Sequence, residues 1–322
     1  MLSKRAFLSA TAALCVIPHP VRAQSYPDKP IRLIVPSAAG GPTDIPARLL
    51  SQILPKLGQS AVVENRPGAG GAIGARAVAT SAPDGYTLLV GNTSVLAVIP
   101  AVSASAGYDP GKSFAPVAKI AESYQILVVH PSAPWTSVKA LIDDAKANPG
   151  KFNYAHTGAG GLPHLTAELF RAITGVAMVG VPYKSGGEAV TAVLGQQVHT
   201  TFEAISILLP LIRDGKVRAL AITSRTRTPL APDLPTMIEA GVPDYEVMTF
   251  YGVVAPAGTP EPIVKLLNAT INEALATGAI RDAITKLGSA PSLTSAQEFG
   301  QFIDAQVRKW SAVAKAANVT VD

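Results

Sequence analysis

Cysteine is nearly absent: the 322 residues contain one, Cys15. It falls within an N-terminal stretch that reads as an export signal. Lys4 and Arg5 precede an apolar run from Ala6 to Ile17, and Val21-Arg22-Ala23 offers small residues for cleavage near Ala23. The mature chain, expected to begin near Gln24, would then have no disulfide and no thiol chemistry. No apolar run is long enough for a membrane-spanning helix. A basic excess is also missing once the leader is set aside. Residues 1–23 carry three basic and no acidic residues, so the net charge falls from +5 to +2, and a nucleic-acid partner loses its main support.

Several catalytic signatures are missing as well. There is no Gly-x-Ser-x-Gly elbow. Gly111-Lys112-Ser113 resembles the end of a P-loop, but Ala106 stands where that motif needs glycine and Pro116 follows where a helix should begin. His130, His156, His164 and His199 show no metal-ligand spacing in the sequence. No catalytic residue, metal ligand or cofactor is therefore expected.

What remains is a regular alternation of short apolar strands and amphipathic helices, the grammar of an α/β fold with mostly parallel sheets. Ile31–Val35, Ala61–Glu64 and Tyr86–Val90 read as strands, with a helix from Thr43 to Leu57 between the first two. The grammar resumes at Ile126–His130. The last helix begins at a capping box, Ser295 with Glu298, and carries a stripe of Phe299, Phe302, Ile303, Val307 and Trp310. No low-complexity linker divides the chain. Strands near 120–126 and 247–253 are expected to join two domains, 24–123 plus 248–322 and 124–247, the first discontinuous.

One tetrapeptide, Gly-Ala-Gly-Gly, occurs at Gly68–Gly71 and again ninety residues later at Gly158–Gly161. Each copy stands between a strand and a helix, and Gly40-Gly41 has the same setting. Helix starts expose unpaired N–H groups and a partial positive charge, and glycine lets an anion approach them. Thr43, Thr93, Ser94 and Thr157 lie at the ends of strands, where α/β folds open their crevices. Asp44 caps a helix or faces a ligand. His164, one turn into the helix after the second loop, either donates to an anion or caps that helix.

A family resemblance runs from about Tyr26 to Trp310. It is carried by Tyr26-Pro27-Asp28-Lys29-Pro30-Ile31, Gly40-Gly41-Pro42-Thr43-Asp44, Glu64-Asn65-Arg66-Pro67-Gly68-Ala69-Gly70-Gly71 and Pro83-Asp84-Gly85-Tyr86-Thr87-Leu88. Val181-Pro182-Tyr183-Lys184 and Ala255-Pro256-Ala257-Gly258-Thr259-Pro260 extend it. The chain resembles the substrate-binding proteins of tripartite tricarboxylate transporters, the Bug or TctC-like receptors. That resemblance implies a two-domain periplasmic binding protein of type II-like, Venus-flytrap form, acting as a monomer. It would deliver a small carboxylate to the permease subunits of its transporter.

The resemblance also implies where the ligand sits. Ser37, Ala38, Ala39, Gly40, Thr43 and Asp44, with Ala69, Gly70 and Gly71, would hold its carboxylate through backbone amides, beside Thr93 and Ser94. Thr157, Gly158, Ala159, His164, Phe202 and Glu203 would read its other end. Ser37-Ala38-Ala39 departs from many relatives, so side chains there would differ while the backbone grip survives. Glu203, an acid in a carboxylate site, would tune specificity with an amine, a hydroxyl or Lys184 as partner. A periplasmic sensor component and a secreted hydrolase are the rival readings.

Overall fold

The computed structural model describes residues 26–158, 160–276 and 278–320. The expected leader, with Cys15, lies outside the described residues, as does Ala159. Ten strands follow in chain order: β1 (Ile31–Val35), β2 (Ala61–Asn65), β3 (Thr87–Asn92), β4 (Phe114–Val129), β5 (Phe152–His156), β6 (Met178–Pro182), β7 (Thr200–Ala204), β8 (Arg218–Ile222), β9 (Met248–Pro256) and β10 (Ser289–Pro291). They pair in the order β2-β1-β3-β9-β4-β7-β5-β6, with β8 and β10 also on β4.

The pairing divides cleanly. Strands followed by crossover helices pair in parallel: β1 with β2 and β3, and β5 with β6 and β7. The chain crosses between these two wings on β4 and β9, and all pairings of those two strands are antiparallel. β4 is the longest strand, and it belongs to both wings. Residues 114–124 pair with β9, and residues 125–129 with β7 and β8. The sequence expected only a short strand from Ile126. Pro116, Lys119, Glu122 and Ser123 mask the apolar pattern before it, yet Lys119 and Ser123 are themselves buried and the strand begins at Phe114.

Each wing is buried on both faces, which is why its strands are nearly continuous runs of Val, Ile and Leu. On one face of β1 and β3, Leu33, Val35, Leu88 and Val90 pack with Leu50 and Ile53 of the helix Asp44–Ile53, and with Leu267, Ile271 and Leu275 of the helix Glu261–Ala276. On the other, Ile34 and Leu89 pack with Phe250, Phe299 and Ile303. The capping box forms as expected, with Ser295 Oγ accepting from the Glu298 amide and Glu298 accepting from the Ser295 amide. The helix it starts, Ala296–Ala316, serves both wings. Phe299 lies in the cluster around Phe250, while Trp310 and Ala314 lie in the core of the other wing with Leu127, Phe170 and Phe202.

A candidate ligand-binding cleft between the glycine loops

The first glycine loop turns β2 into a helix. Asn65 ends the strand, a 3-10 turn spans Ala69–Gly71, and the helix Ala72–Ala79 follows. The Gly71 amide donates to the Gly68 carbonyl at 2.9 Å, and the Ala72 amide to that of Ala69. The amides of Ala69 and Gly70 donate to no protein group among the described residues. Gly71 cannot be replaced freely. Its φ is +107°, and a Cβ would come within 2.6 Å of Val95 Cγ2 and 3.0 Å of the Pro36 carbonyl.

The second loop leaves β5 at His156 and enters the helix Leu162–Thr174. Two imidazoles brace it from beneath. His156 Nδ1 pairs with the Gly158 carbonyl at 2.9 Å, so it carries the proton, whereas His164 Nδ1 accepts the Gly160 amide at 3.0 Å. The rings stack with centroids 4.3 Å apart. Burial lowers the basicity of both histidines, and each also feels the Glu168 carboxylate, which opposes the shift. Glu168 is in turn held by the Tyr154 hydroxyl at 2.6 Å and by Arg171 at 2.7 and 2.8 Å. Of the two roles open to His164, the structure supports a local one: its Nδ1 is occupied by the loop's own backbone. Thr157 and Gly158 keep amides with no acceptor among the described residues.

The two loops border one cavity of about 560 Å³. Ala69, Gly70 and Ser94 contribute from the first wing, and Thr157, Gly158, Gly160 and Gly161 from the second. Ile99, Val102 and Leu162 supply apolar wall, and Arg76 is its one charged side chain among the described residues. A larger groove, about 710 Å³, is lined only by residues between Thr136 and Ala240 of the second wing, so closure of the two wings cannot enclose a ligand there.

The loop after β1 faces elsewhere. Gly40 and Pro42 line a separate cavity of about 340 Å³ with Tyr251 and Ile207. Ala38 and Ala39 are exposed, and Ser37 buries an Oγ that has no partner among the described residues while its carbonyl accepts from Asn65 Nδ2. Asp44 is fully buried, and its carboxylate accepts from the Gly40 amide at 2.8 Å, Arg48 Nε at 2.6 Å and Asn65 Nδ2 at 2.8 Å. Burial would push its pKa up, but these donors outweigh burial and hold it below the usual carboxylate value. Asp44 therefore builds the loop and has no oxygen left for a ligand.

Four more expected contacts turn inward. Thr43 is buried, with its Oγ1 accepting from Asn92. Thr93 is buried and tied to β9, accepting the Phe250 amide at 2.8 Å. Phe202 stacks on Tyr245 in the core, because alternation along β7 points it away from its neighbour Glu203. Glu203 lines none of the three cavities. One carboxylate oxygen accepts the Ala204 amide at 2.8 Å, and the other is buried against Gly186 without a partner among the described residues, where a Cβ would sit 2.4 Å away. Lys184 forms no ion pair with it. Burial raises the Glu203 pKa to about 7.

The sequence reading missed Arg76, Ile99 and Val102. Arg76 had one available signal, its position one turn beyond Ala72 in a helix that starts at a glycine loop. The stretch Ile99–Ala106 reads as small and featureless, and only the fold brings it to the cavity wall.

Two α/β wings joined by crossing strands, with backbone-rich loops meeting over a cavity, define a two-domain periplasmic binding protein fold. Residues 47–319 match the family described as "Tripartite tricarboxylate transporter family receptor", and the chain belongs to that family. It is 40% identical to Protein BugT of Bordetella pertussis over 95% of this chain and 94% of that one. Among solved structures it is similar to R. palustris Rpa4515 with adipate, at 37% identity, TM-score 0.82, and coverage of 92% of this chain and 99% of that one. It is similar also to the periplasmic binding protein BugD, at 34% identity, TM-score 0.79, and coverage of 92% and 99%. The family is one of receptors. No helix among the described residues is long and apolar enough to cross a membrane.

Proposed function

We propose that this receptor captures a small carboxylate in the periplasm and delivers it to the permease subunits of a tripartite tricarboxylate transporter. The observation that carries the reading is the pair of glycine loops, one from each wing, that line one cavity of about 560 Å³ and whose amides at Ala69, Gly70, Thr157 and Gly158 have no partner among the described residues. Amides at helix starts favour an anion without needing a buried cation, and charge-assisted N–H bonds are stronger than neutral ones. The volume suits a small metabolite. The similar Rpa4515 structure holds adipate, a carboxylic acid.

In this reading the domains are 24–123 plus 248–322 and 124–247, the leader is removed near Ala23, and the mature protein acts as a monomer. The ligand docks on the amides of Ala69 and Gly70, and the second domain closes over it about the crossing strands β4 and β9. Ser94 and Thr157 offer hydroxyls to the same space. Membership of a transporter receptor family supports delivery to a permease.

The test is a thermal-shift screen of the mature protein against mono-, di- and tricarboxylates, amino acids and aromatic acids. Ligand concentrations are kept far above the expected dissociation constants, since stabilisation grows only logarithmically with ligand. At least one acid should raise the melting temperature, with calorimetric binding at one site. If no acid shifts the transition and neutral sugars or amines do, the carboxylate reading is wrong.

A further inference from the structure

The cavity of about 340 Å³ beside the loop after β1 shares no lining residue with the cavity between the glycine loops. Its walls come from both wings and from the strands that cross between them. Pro42 and Ile45 belong to the first wing, Ser206 and Ile207 to the helix Ile205–Arg213 of the second, and Ala121 and Tyr251 to β4 and β9. Ala121 is paired directly with Tyr251 across those two strands, so their side chains share one face, and the alanine methyl leaves room beside the ring. The helix Gly278–Lys286 ends against the start of the second-wing helix. A Cβ on Gly288 would come within 3.0 Å of Ile205 Cγ2 and 3.5 Å of the Ser206 nitrogen.

Two kinds of unused donor belong to these walls. Tyr251 is only 5% exposed, yet its hydroxyl has no hydrogen-bond partner among the described residues, where a buried tyrosine ordinarily finds one. Burial, and after it the Glu203 carboxylate, raise the Tyr251 pKa, so the hydroxyl stays protonated and able to donate. The helix Ile205–Arg213 starts without a side-chain cap, and the amides of Ser206 and Ile207 donate to no protein group among the described residues. No charged side chain lines the cavity among the described residues, and Pro46, Ile284 and Leu287 add apolar wall. We infer that this cavity is a second ligand site, for a small, neutral, largely apolar molecule that carries a carbonyl oxygen. The oxygen accepts from Tyr251 and from the helix amides, while the carbon skeleton packs on proline, isoleucine and leucine. An anion is disfavoured, because no cation faces it and the charge nearest Tyr251 is the carboxylate of Glu203. The volume falls in the range of small-molecule sites, which begins at about 300 Å³. The site stands independently of the carboxylate reading.

The experiment titrates acetophenone, a neutral ketone, and ethylbenzene, its counterpart without the oxygen, into the mature protein while backbone amide NMR signals are followed. Acetophenone should shift the Ser206 and Ile207 signals, leave those of Ala69 and Gly70 in place, and bind at least fivefold more tightly than ethylbenzene. Tyr251→Phe should cut that advantage to about twofold or less and leave ethylbenzene binding unchanged, a split that a merely structural role of the hydroxyl would not produce. Ser206→Phe, at an exposed position on the cavity wall, should block both molecules, and it decides the matter if Tyr251→Phe does not fold. Acetophenone that fails to bind at millimolar concentration overturns the inference. So do shifts at Ala69 and Gly70 in place of Ser206 and Ile207, equal affinity for the two molecules, an advantage that survives in Tyr251→Phe, or binding that survives in Ser206→Phe. All of these outcomes leave the carboxylate reading untouched, since that reading concerns the other cavity.

Discussion

The two glycine loops have the same four residues and opposite kinds of support. The first is wedged by packing, since Gly71 fits only because no side chain separates it from Val95 and Pro36. Asp44, the buried acid of its wing, has both oxygens engaged by fixed donors. The second is propped by two stacked imidazoles, themselves backed by Glu168, and its wing also buries Glu203 with an unpartnered oxygen. An identical tetrapeptide thus rests mainly on packing in one wing and on stacked, titratable imidazoles in the other. The loop sequence specifies the backbone turn, and the support decides under which conditions that turn is held.

That contrast breaks first at Gly71. Gly71→Val should cost about 3 kcal/mol or more of stability, from the positive φ and the overlap with Val95 and Pro36 together. Denaturant unfolding at pH 5 and pH 8 should show the same loss at both. A loss confined to one pH would mean that the first loop is not held by packing.

Glu203 sharpens the other side of the comparison. Its folded pKa, about 7, lies above the ordinary 4.5, so the stability present below pH 4.5 is lost as pH rises through 7. Glu203→Gln removes the ionisation. The variant should therefore gain on wild type as pH rises, by about 2–3 kcal/mol at pH 8. Parallel stability profiles for the two proteins from pH 4 to 8 would contradict a buried, unpaired carboxyl here. Because Glu203 does not line the cavity between the glycine loops, ligand preference should be the same in both.

His164 has the smallest effect. Burial, reinforced by His156, depresses its folded pKa, so the stabilisation is present above the usual histidine range and is lost as pH falls below about 6.5 and through the folded value. Protonation removes the acceptor of the Gly160 amide, a bond worth about 1 kcal/mol net. Ligand affinity measured at pH 7.5 and 5.0 should fall severalfold on acidification, and His164→Gln should flatten that fall. An acid response unchanged in the variant would assign the sensitivity to another group, His156 first.

How far the sequence could be read depended on how local each signal was. The strands β1 and β2, the final helix with its capping box, and both glycine loops were legible because turn chemistry and apolar period lie within a few residues of each other. The helix Ile205–Arg213 escaped because Pro210 inside it reads as a breaker, whereas packing of Ile205 and Leu208 against Ile126, Val128 and Val190 decides the matter. Site residues divided in the same way. Ala69, Gly70, Ser94, Thr157 and Gly158 line the cavity between the loops. Thr43, Asp44 and Thr93, placed near the site by strand ends and a helix start, and Phe202, placed there by family pattern, turn their side chains into the protein, and neither position nor pattern carries a direction for a side chain.

By itself the sequence determined the α/β alternation and the two glycine-rich backbone turns, since both follow from local rules of period and glycine geometry. The tertiary structure alone decided that the loop after β1 opens to a different cavity, that two histidines prop the second loop, and that Arg76 stands on the cavity wall with no ion pair among the described residues. Those facts depend on which residues distant in the chain come within a few ångströms, and that is fixed by packing across β4 and β9.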